Sequence, residues 1–125
     1  MSIGTEYFTR KDGSDELECR CGKCKETVKG HFREMLNEAR AIAGVPFKIT
    51  SGMRCLEHNR KIGSRDTSSH IKGIAADIYY TDDLHLTRIV HALSRVGFTR
   101  IGTNEEKRFI HVDFDDAKSD AVFGY

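Results

Sequence analysis

The stretch Ser68–Asp77, SSHIKGIAAD, sets a histidine and an aspartate seven residues apart, with glycine and alanine between them. Its character changes halfway. The first half continues the polar, loop-like composition of GSRDTSS over 63–69. The second half opens a run from Ile74 to Tyr80 that is rich in β-branched and aromatic residues and reads as a strand. Asp77 therefore falls inside an otherwise apolar strand, where a carboxylate without partners is costly. His70 ends the loop that feeds this strand.

The neighbouring elements follow from periodicity. Upstream, Val28, Phe32, Met35, Leu36, Ala39 and Ile42 recur at helical spacing and mark an amphipathic helix over 27–43. Gly44 stops it, and Pro46 lies just beyond. Phe47 to Thr50 is a short strand broken by Ser51-Gly52, and residues 55–62 form a short helix. Downstream, Asp82-Asp83 caps a helix over 83–96 whose apolar positions are Leu86, Ile89, Val90, Leu93 and Val96, with Gly97 at its end. Phe98–Gly102 and Arg108–Phe114 read as two strands of a hairpin joined by TNEEK. Residues 1–18 are an irregular or short helical entry. The helices are separate from the antiparallel pair, so the expected class is α+β, a small antiparallel sheet with flanking helices. Neither a repeat nor a Pro/Gly-rich linker divides the 125 residues, which read as one domain with a cysteine-bearing segment over 1–26.

Composition narrows the function. A chain that is 38% hydrophobic and 31% charged is expected to be globular rather than disordered. Its net charge of +1 offers no basic excess to neutralise phosphates, which argues against a nucleic-acid partner. No apolar run approaches the roughly 20 residues needed to span a bilayer. The opening MSIGTEYFTRKDGSDELE lacks an apolar h-region, so the expectation is synthesis in the cytoplasm without a secretory signal. No exposed apolar stripe is evident, and a monomer is expected.

The chemistry lies in two groups of residues. In RFIHVDF, Phe109, His111 and Asp113 share one face of a strand, and Ile110, Val112 and Phe114 share the other. Placing Ile110 and Val112 in the core leaves His111 and Asp113 facing a cleft. His70, Asp77 and His111 together make a two-histidine, one-carboxylate set of the kind that holds zinc with a position left open. Gly73 and Ala75 would let the backbone approach the metal closely. By spacing alone, each of these residues also has a plain structural reading, as a satisfied histidine or a hydrogen-bonded aspartate. The second group is Cys19-x-Cys21-x-x-Cys24 with Cys55. Four thiolates suffice for a closed tetrahedral zinc site. A disulfide from Cys55 to one of the other three, free thiols, or an iron–sulfur cluster are the other readings.

The pattern S-x-H-x-x-G-x-A-x-D, carried by Ser68, His70, Gly73, Ala75 and Asp77 and followed by His111 in a strand, resembles the signature of the M15 zinc peptidases. These are D-alanyl-D-alanine carboxypeptidases, dipeptidases and phage endolysins. ITSGMRCLEHNRKIG (49–63) and GFTRIG (97–102) are similar to the small branch of that family, its subfamily A type, and YFTRKD…LECRCGKC resembles the cysteine-bearing start of some members. The resemblance covers nearly the whole chain in order.

It implies a Hedgehog/DD-peptidase-like fold, one catalytic Zn²⁺ held by His70, Asp77 and His111, and a peptide of bacterial peptidoglycan as substrate. A D-Ala-D-Ala bond, an L-Ala-D-Glu bond and a cross-bridge all remain open. Arg54 matches an arginine that members use near the substrate, and its planar fork suits a carboxylate. Ser68 would bond substrate or a metal ligand. Many members place an acid three residues before the last histidine ligand; Arg108 stands there and cannot accept a proton. Asp113 is a candidate base, or else a partner that orients His111. Glu105 and Glu106 in the hairpin turn are the other candidates, and His58 lies near the expected cleft. Small size and the missing signal suggest a phage or prophage enzyme that reaches the wall through a holin or in a virion tail. A catalytically inactive zinc-containing wall-binding or phage structural module is the alternative that Arg108 favours. A zinc-binding regulator built on the cysteines is a third reading.

Overall fold

Five strands form one sheet among the described residues, which in this computed structural model are Tyr7, Phe8 and 15–124. They are β1 (Lys48–Ser51), β2 (Ala75–Tyr79), β3 (Arg100–Asn104), β4 (Phe109–Asp113) and β5 (Ala121–Gly124), in spatial order β1-β2-β4-β3-β5. Among the described residues three helices accompany them: α1 (Gly30–Ala43), α2 (Leu56–Lys61) and α3 (Asp83–Val96). None of the helices is long and apolar enough to cross a membrane.

Register decides what each face of the sheet carries. Ile49 pairs with Ile78, Ile78 with Ile110, Ala76 with Val112, and Val112 with Ile101. Because side chains alternate along a strand, these residues share one face, and all are buried. The helices add their apolar stripes to the same core: Phe32, Leu36, Ala39 and Ala43 from α1, and Ile89, Ala92 and Leu93 from α3. The intervening positions then fall on the opposite face, where Asp77 pairs with His111 and His111 with Gly102.

The helix ends follow local chemistry. Asp82 caps α3 by accepting from the His85 amide, and Gly44 and Gly97 end α1 and α3 in the left-handed region at φ 66° and 108°. Helix α1 starts at Gly30 rather than at 27. Lys29 is extended, and its amide donates to Gly73 O at 2.8 Å, so the chain before α1 is spent on the loop that precedes β2.

Two expectations need correction. The sheet is not wholly antiparallel: β5, to which the sequence reading gave no element, pairs parallel with β3. Its AVFG segment is short and leaves Val122 exposed, so it carries no buried-strand pattern. The hairpin turn also tightens to 105–108, because β3–β4 pairing continues to Asn104 opposite Phe109. Asn104 Oδ1 accepts from the Lys107 amide, and Arg108 turns the chain at φ 56°. Most of the entry expected over 1–18 lies outside the described residues.

Residues 15–29 form no helix or strand, and polar contacts tie them down. Asp15 accepts from Arg33 Nη2 at 2.7 Å, from Arg33 Nη1 at 3.0 Å, from Thr27 Oγ1 and from the Leu17 amide. Burial alone would raise its carboxyl pKa, but the bonds from Arg33, Thr27 and Leu17 outweigh it and hold the group below the usual range. A folded value below the unfolded one of about 3.9 means the stabilisation is present above about pH 4 and lost as pH falls through the folded value. Asp15→Asn is expected to lower stability near pH 7 by about 1–3 kcal/mol in urea unfolding. The gap to wild type should narrow as pH falls below about 4 and through the folded value, as linkage requires. An equal gap throughout would mean that the ion pair contributes nothing.

Candidate metal centre

Asp77 lies mid-strand in β2, and His111 stands directly opposite on β4. Paired positions on one face bring their side chains together, with His111 Nδ1 3.1 Å from Asp77 Oδ1. His70 arrives from the loop before β2. That loop folds back on itself through Ile71 N→Ser68 O and Gly73 N→His70 O, and Gly73 adopts φ 74°. The His70 ring is buried, its Nε2 3.3 Å from the same Asp77 oxygen. The two imidazole rings meet edge to face at 5.2 Å.

The outer nitrogen of each ring is already committed. Gly52 O lies 2.7 Å from His70 Nδ1, and a carbonyl can only accept, so the proton sits on Nδ1 and the lone pair on Nε2. Asp113 Oδ2 lies 2.6 Å from His111 Nε2, which places the proton there and the lone pair on Nδ1. Two nitrogen lone pairs and a carboxylate oxygen thus converge, three acceptors with no donor among them. Such a set repels itself unless a cation sits at its centre. Tetrahedral ligands about 2.05 Å from a zinc ion are about 3.3 Å apart. The 3.1 and 3.3 Å separations to Asp77 fit that spacing, and all three donor atoms lie within 4.8 Å of one another.

When no metal is bound, ring protons take the cation's place: burial pushes the Asp77 carboxyl up, but hydrogen bonds and positive charge from His111 and His70 hold it well below the usual carboxylate range. Burial pushes His111 down, while Asp113 and Asp77 raise it above the ordinary value. Asp113 is raised by burial and lowered further by His111, the Asp115 amide and Arg100.

Asp113 does not face the cleft as expected. Its side chain is 1% exposed, behind His111. Arg100 Nε reaches its Oδ1 at 3.2 Å from the paired position on β3, and the Asp115 amide donates to Oδ1 at 2.9 Å as the chain turns back after β4. Gly73 does not serve a close approach to the metal either. A Cβ there would meet Lys29 and Met53, and the residue supplies the positive φ of the loop. Ala75 is buried opposite Asp113.

Ser68 Oγ accepts from the His70 amide at 3.3 Å, and the Arg54 amide donates to His70 O at 3.2 Å, so both residues adjoin the first ligand. Glu105 and Glu106 are exposed in the β3–β4 turn, and the Arg108 guanidinium donates to Thr81 O at 2.7 Å. The His58 amide donates to Cys55 Sγ in the first turn of α2. The four cysteines form a second group, with their sulfurs within 4.8 Å of one another and none in a disulfide.

Several supporting residues escaped the sequence reading. The buried carboxylate of Asp115 accepts from Ser69 Oγ at 2.8 Å and Lys72 Nζ at 2.9 Å, while its own amide holds Asp113. It therefore links the His70 loop to the strand of His111. Phe123 on β5 packs near His111, ring centroids 6.3 Å apart. It occupies the space over Gly102, where a Cβ would lie 2.3 Å from its ring. The acidic run DFDD after His111 was the one available signal for Asp115.

A search of curated proteins found none that matches the chain. A family model described as Peptidase M15 matches residues 8–113. That span runs from the N-terminal segment to the last residue of β4 and includes His70, Asp77 and His111. The match covers most of the chain together with the loop and both strands that build the centre, and the chain belongs to the peptidase M15 family.

Proposed function

We propose that this peptidase is a zinc enzyme of the small, subfamily A type of M15 peptidase, Hedgehog/DD-peptidase-like in fold, that hydrolyses peptide bonds of bacterial peptidoglycan. The activity would be that of a D-Ala-D-Ala carboxypeptidase or stem-peptide endopeptidase of phage or prophage type. The observation that carries the metal is the convergence of His70 Nε2, Asp77 Oδ1 and His111 Nδ1, three acceptors that need a cation. When bound in such a set, zinc supplies Lewis-acid polarisation of a peptide carbonyl and lowers the pKa of a water toward ~7.

The chain's own residues divide the remaining work. Gly52 O and Asp113 hold the protons on the outer nitrogens of the two histidines and so keep the inner lone pairs aimed inward. Asp113, engaged by His111, Arg100 and the Asp115 amide, acts as the positioning residue of His111. Arg54, whose amide donates to His70 O, is assigned the binding of a substrate carboxylate through its guanidinium, and Ser68 adjoins the same histidine. Glu106 is exposed on the β3–β4 turn, and only if that turn folds inward would it take the proton of the attacking water and return it to the leaving amine. A second reading, a wall-binding or phage structural module without turnover, is favoured by Arg108, a permanent cation where an acid would otherwise stand.

Protein purified without added metal is expected to lose one zinc per chain on His70→Ala, together with all hydrolysis of stem peptides ending in D-Ala-D-Ala. Elemental analysis showing unchanged zinc would sink the assignment. Wild type with its zinc but without turnover on any stem peptide would decide for the second reading. Arg54→Lys should keep its zinc and lose about 10–100-fold in kcat/KM on peptides with a free terminal carboxylate, the loss of a charge-assisted pair. An equal loss on amidated peptides would remove the carboxylate role. Glu106→Gln should lower kcat by about 10²–10⁴-fold, the usual worth of a general base, with zinc content and Tm unchanged. A kcat within twofold of wild type would exclude it.

A further inference from the structure

We propose that Cys19, Cys21, Cys24 and Cys55 form a second, closed metal site that binds Zn²⁺ and clamps the N-terminal segment onto the loop supporting His70. This inference does not rest on the peptidase chemistry above. Its first support is mutual distance. All four sulfurs lie within 4.8 Å of one another, with Cys21 and Cys24 Sγ at 3.4 Å. Sulfurs about 2.3 Å from a tetrahedral zinc ion lie about 3.8 Å apart. Disulfide chemistry would favour pairs, each at about 2.05 Å and separate from the other pair. A central ion instead selects four sulfurs gathered around one point, which is the arrangement here.

The second support is how the backbone treats the sulfurs. The amides of Lys23 and Cys24 both point at Cys21 Sγ at 3.3 Å, across a turn that Gly22 closes at φ 80°. The Cys55 amide points at Cys19 Sγ at 3.3 Å, and the His58 amide at Cys55 Sγ at 3.4 Å. Four N–H donors aimed at three sulfurs treat them as acceptors, the role that metal-bound sulfur also plays toward backbone amides. Four sulfur ligands leave no open position, so the site is structural.

The third support is what the site joins. Cys19, Cys21 and Cys24 belong to a segment without helix or strand, and Cys55 follows Arg54. On that segment Leu17 O accepts from the Met53 amide at 2.9 Å, and Gly52 packs so closely on Leu17 that a Cβ would lie 2.6 Å from its carbonyl oxygen. Gly52 O holds His70 Nδ1, and the Arg54 amide holds His70 O. The loop 52–55 is thereby fastened on one side to the cysteines and on the other to the first ligand of the catalytic centre. Metal at the cysteines would add binding free energy to a segment with little regular structure of its own.

The test uses the whole chain, purified without chelator. Titrating the thiols with p-hydroxymercuribenzoate beside a zinc indicator should release one zinc as four thiols react. After exchange with Co²⁺, wild type and His70→Ala should both show an intense thiolate-to-cobalt charge-transfer band. The double variant Cys21→Ser/Cys24→Ser should lack it and retain the zinc that His70→Ala loses. Trypsin should leave Arg20, Lys23 and Lys25 uncut until metal is stripped, and then cut there. Should the double variant fail to fold, the titration and proteolysis of wild type decide. Disulfide-linked cysteines in the purified protein, iron bound at the thiols, four thiols reacting without metal release, or equal cleavage with and without metal would each overturn the proposal. Because none of these readouts is hydrolysis, an inactive protein with a cysteine-bound zinc would fail the peptidase reading alone.

Discussion

A carboxylate on an inner strand, faced by the lone pairs of two histidines, is the constraint around which this molecule is arranged. Asp77 Oδ1 lies 3.3 Å from His70 Nε2 and 3.1 Å from His111 Nδ1. Left alone, three such acceptors would drift apart or capture a proton, since a buried charge without a partner is strongly unfavourable. The surrounding structure prevents the first outcome. β-pairing fixes Asp77 against His111 through the backbone, and the loop ending at Gly73 brings His70 to the same oxygen. The span that the peptidase M15 family model matches includes His70, Asp77 and His111.

The supports lie one layer out, one distant in sequence from the histidine it holds and one two residues along the same strand. Gly52 O comes from beyond β1, and Asp113 from the end of β4. Asp115 then binds the two halves together: its amide goes to Asp113 and its carboxylate to Ser69 and Lys72 beside His70. A buried carboxylate is tolerable in this position because its oxygens are met by a hydroxyl, ammonium groups and the Ala117 amide. The result is a candidate ligand set whose ring orientations are settled by hydrogen bonds, which would limit the entropy lost on binding a metal.

The edges of the sheet serve the same centre. The missing side chain at Gly102 makes room for Phe123, so β5 contributes an aromatic ring beside His111 as well as covering β3. Arg100 stacks over that ring at 5.1 Å while its Nε reaches Asp113. At the opposite end of the chain, Leu17 fills the position that only a glycine at 52 permits. Both contacts depend on glycine for close packing rather than for a turn.

Much of this was legible in the residues because it is local. Helix α3 begins and ends where expected, since Asp82 and Gly97 carry its cap and its stop within the segment itself. The period of two in FIHVD separates Ile110 and Val112 from His111, and the apolar run around Asp77 marks a strand without any partner being known. The cysteine spacing drew attention to a group that does come together. What stayed hidden depends on contacts made across the chain. Strand β5 is too short and too exposed to carry a pattern and exists because β3 offers an edge. Asp113 read as a cleft residue because alternation gives a face but not a depth; Arg100 and the Asp115 amide, both brought in by folding, bury it. The pairing of Ser69 with Asp115, 46 residues apart, leaves no periodic trace. Residue types and their local spacing name the atoms able to hold a metal. Asp113, two residues from His111 on one strand face, could be read locally as the partner of that ring, but the lone pair that His70 turns inward is set by the Gly52 carbonyl, 18 residues away, which only the folded chain can place against it.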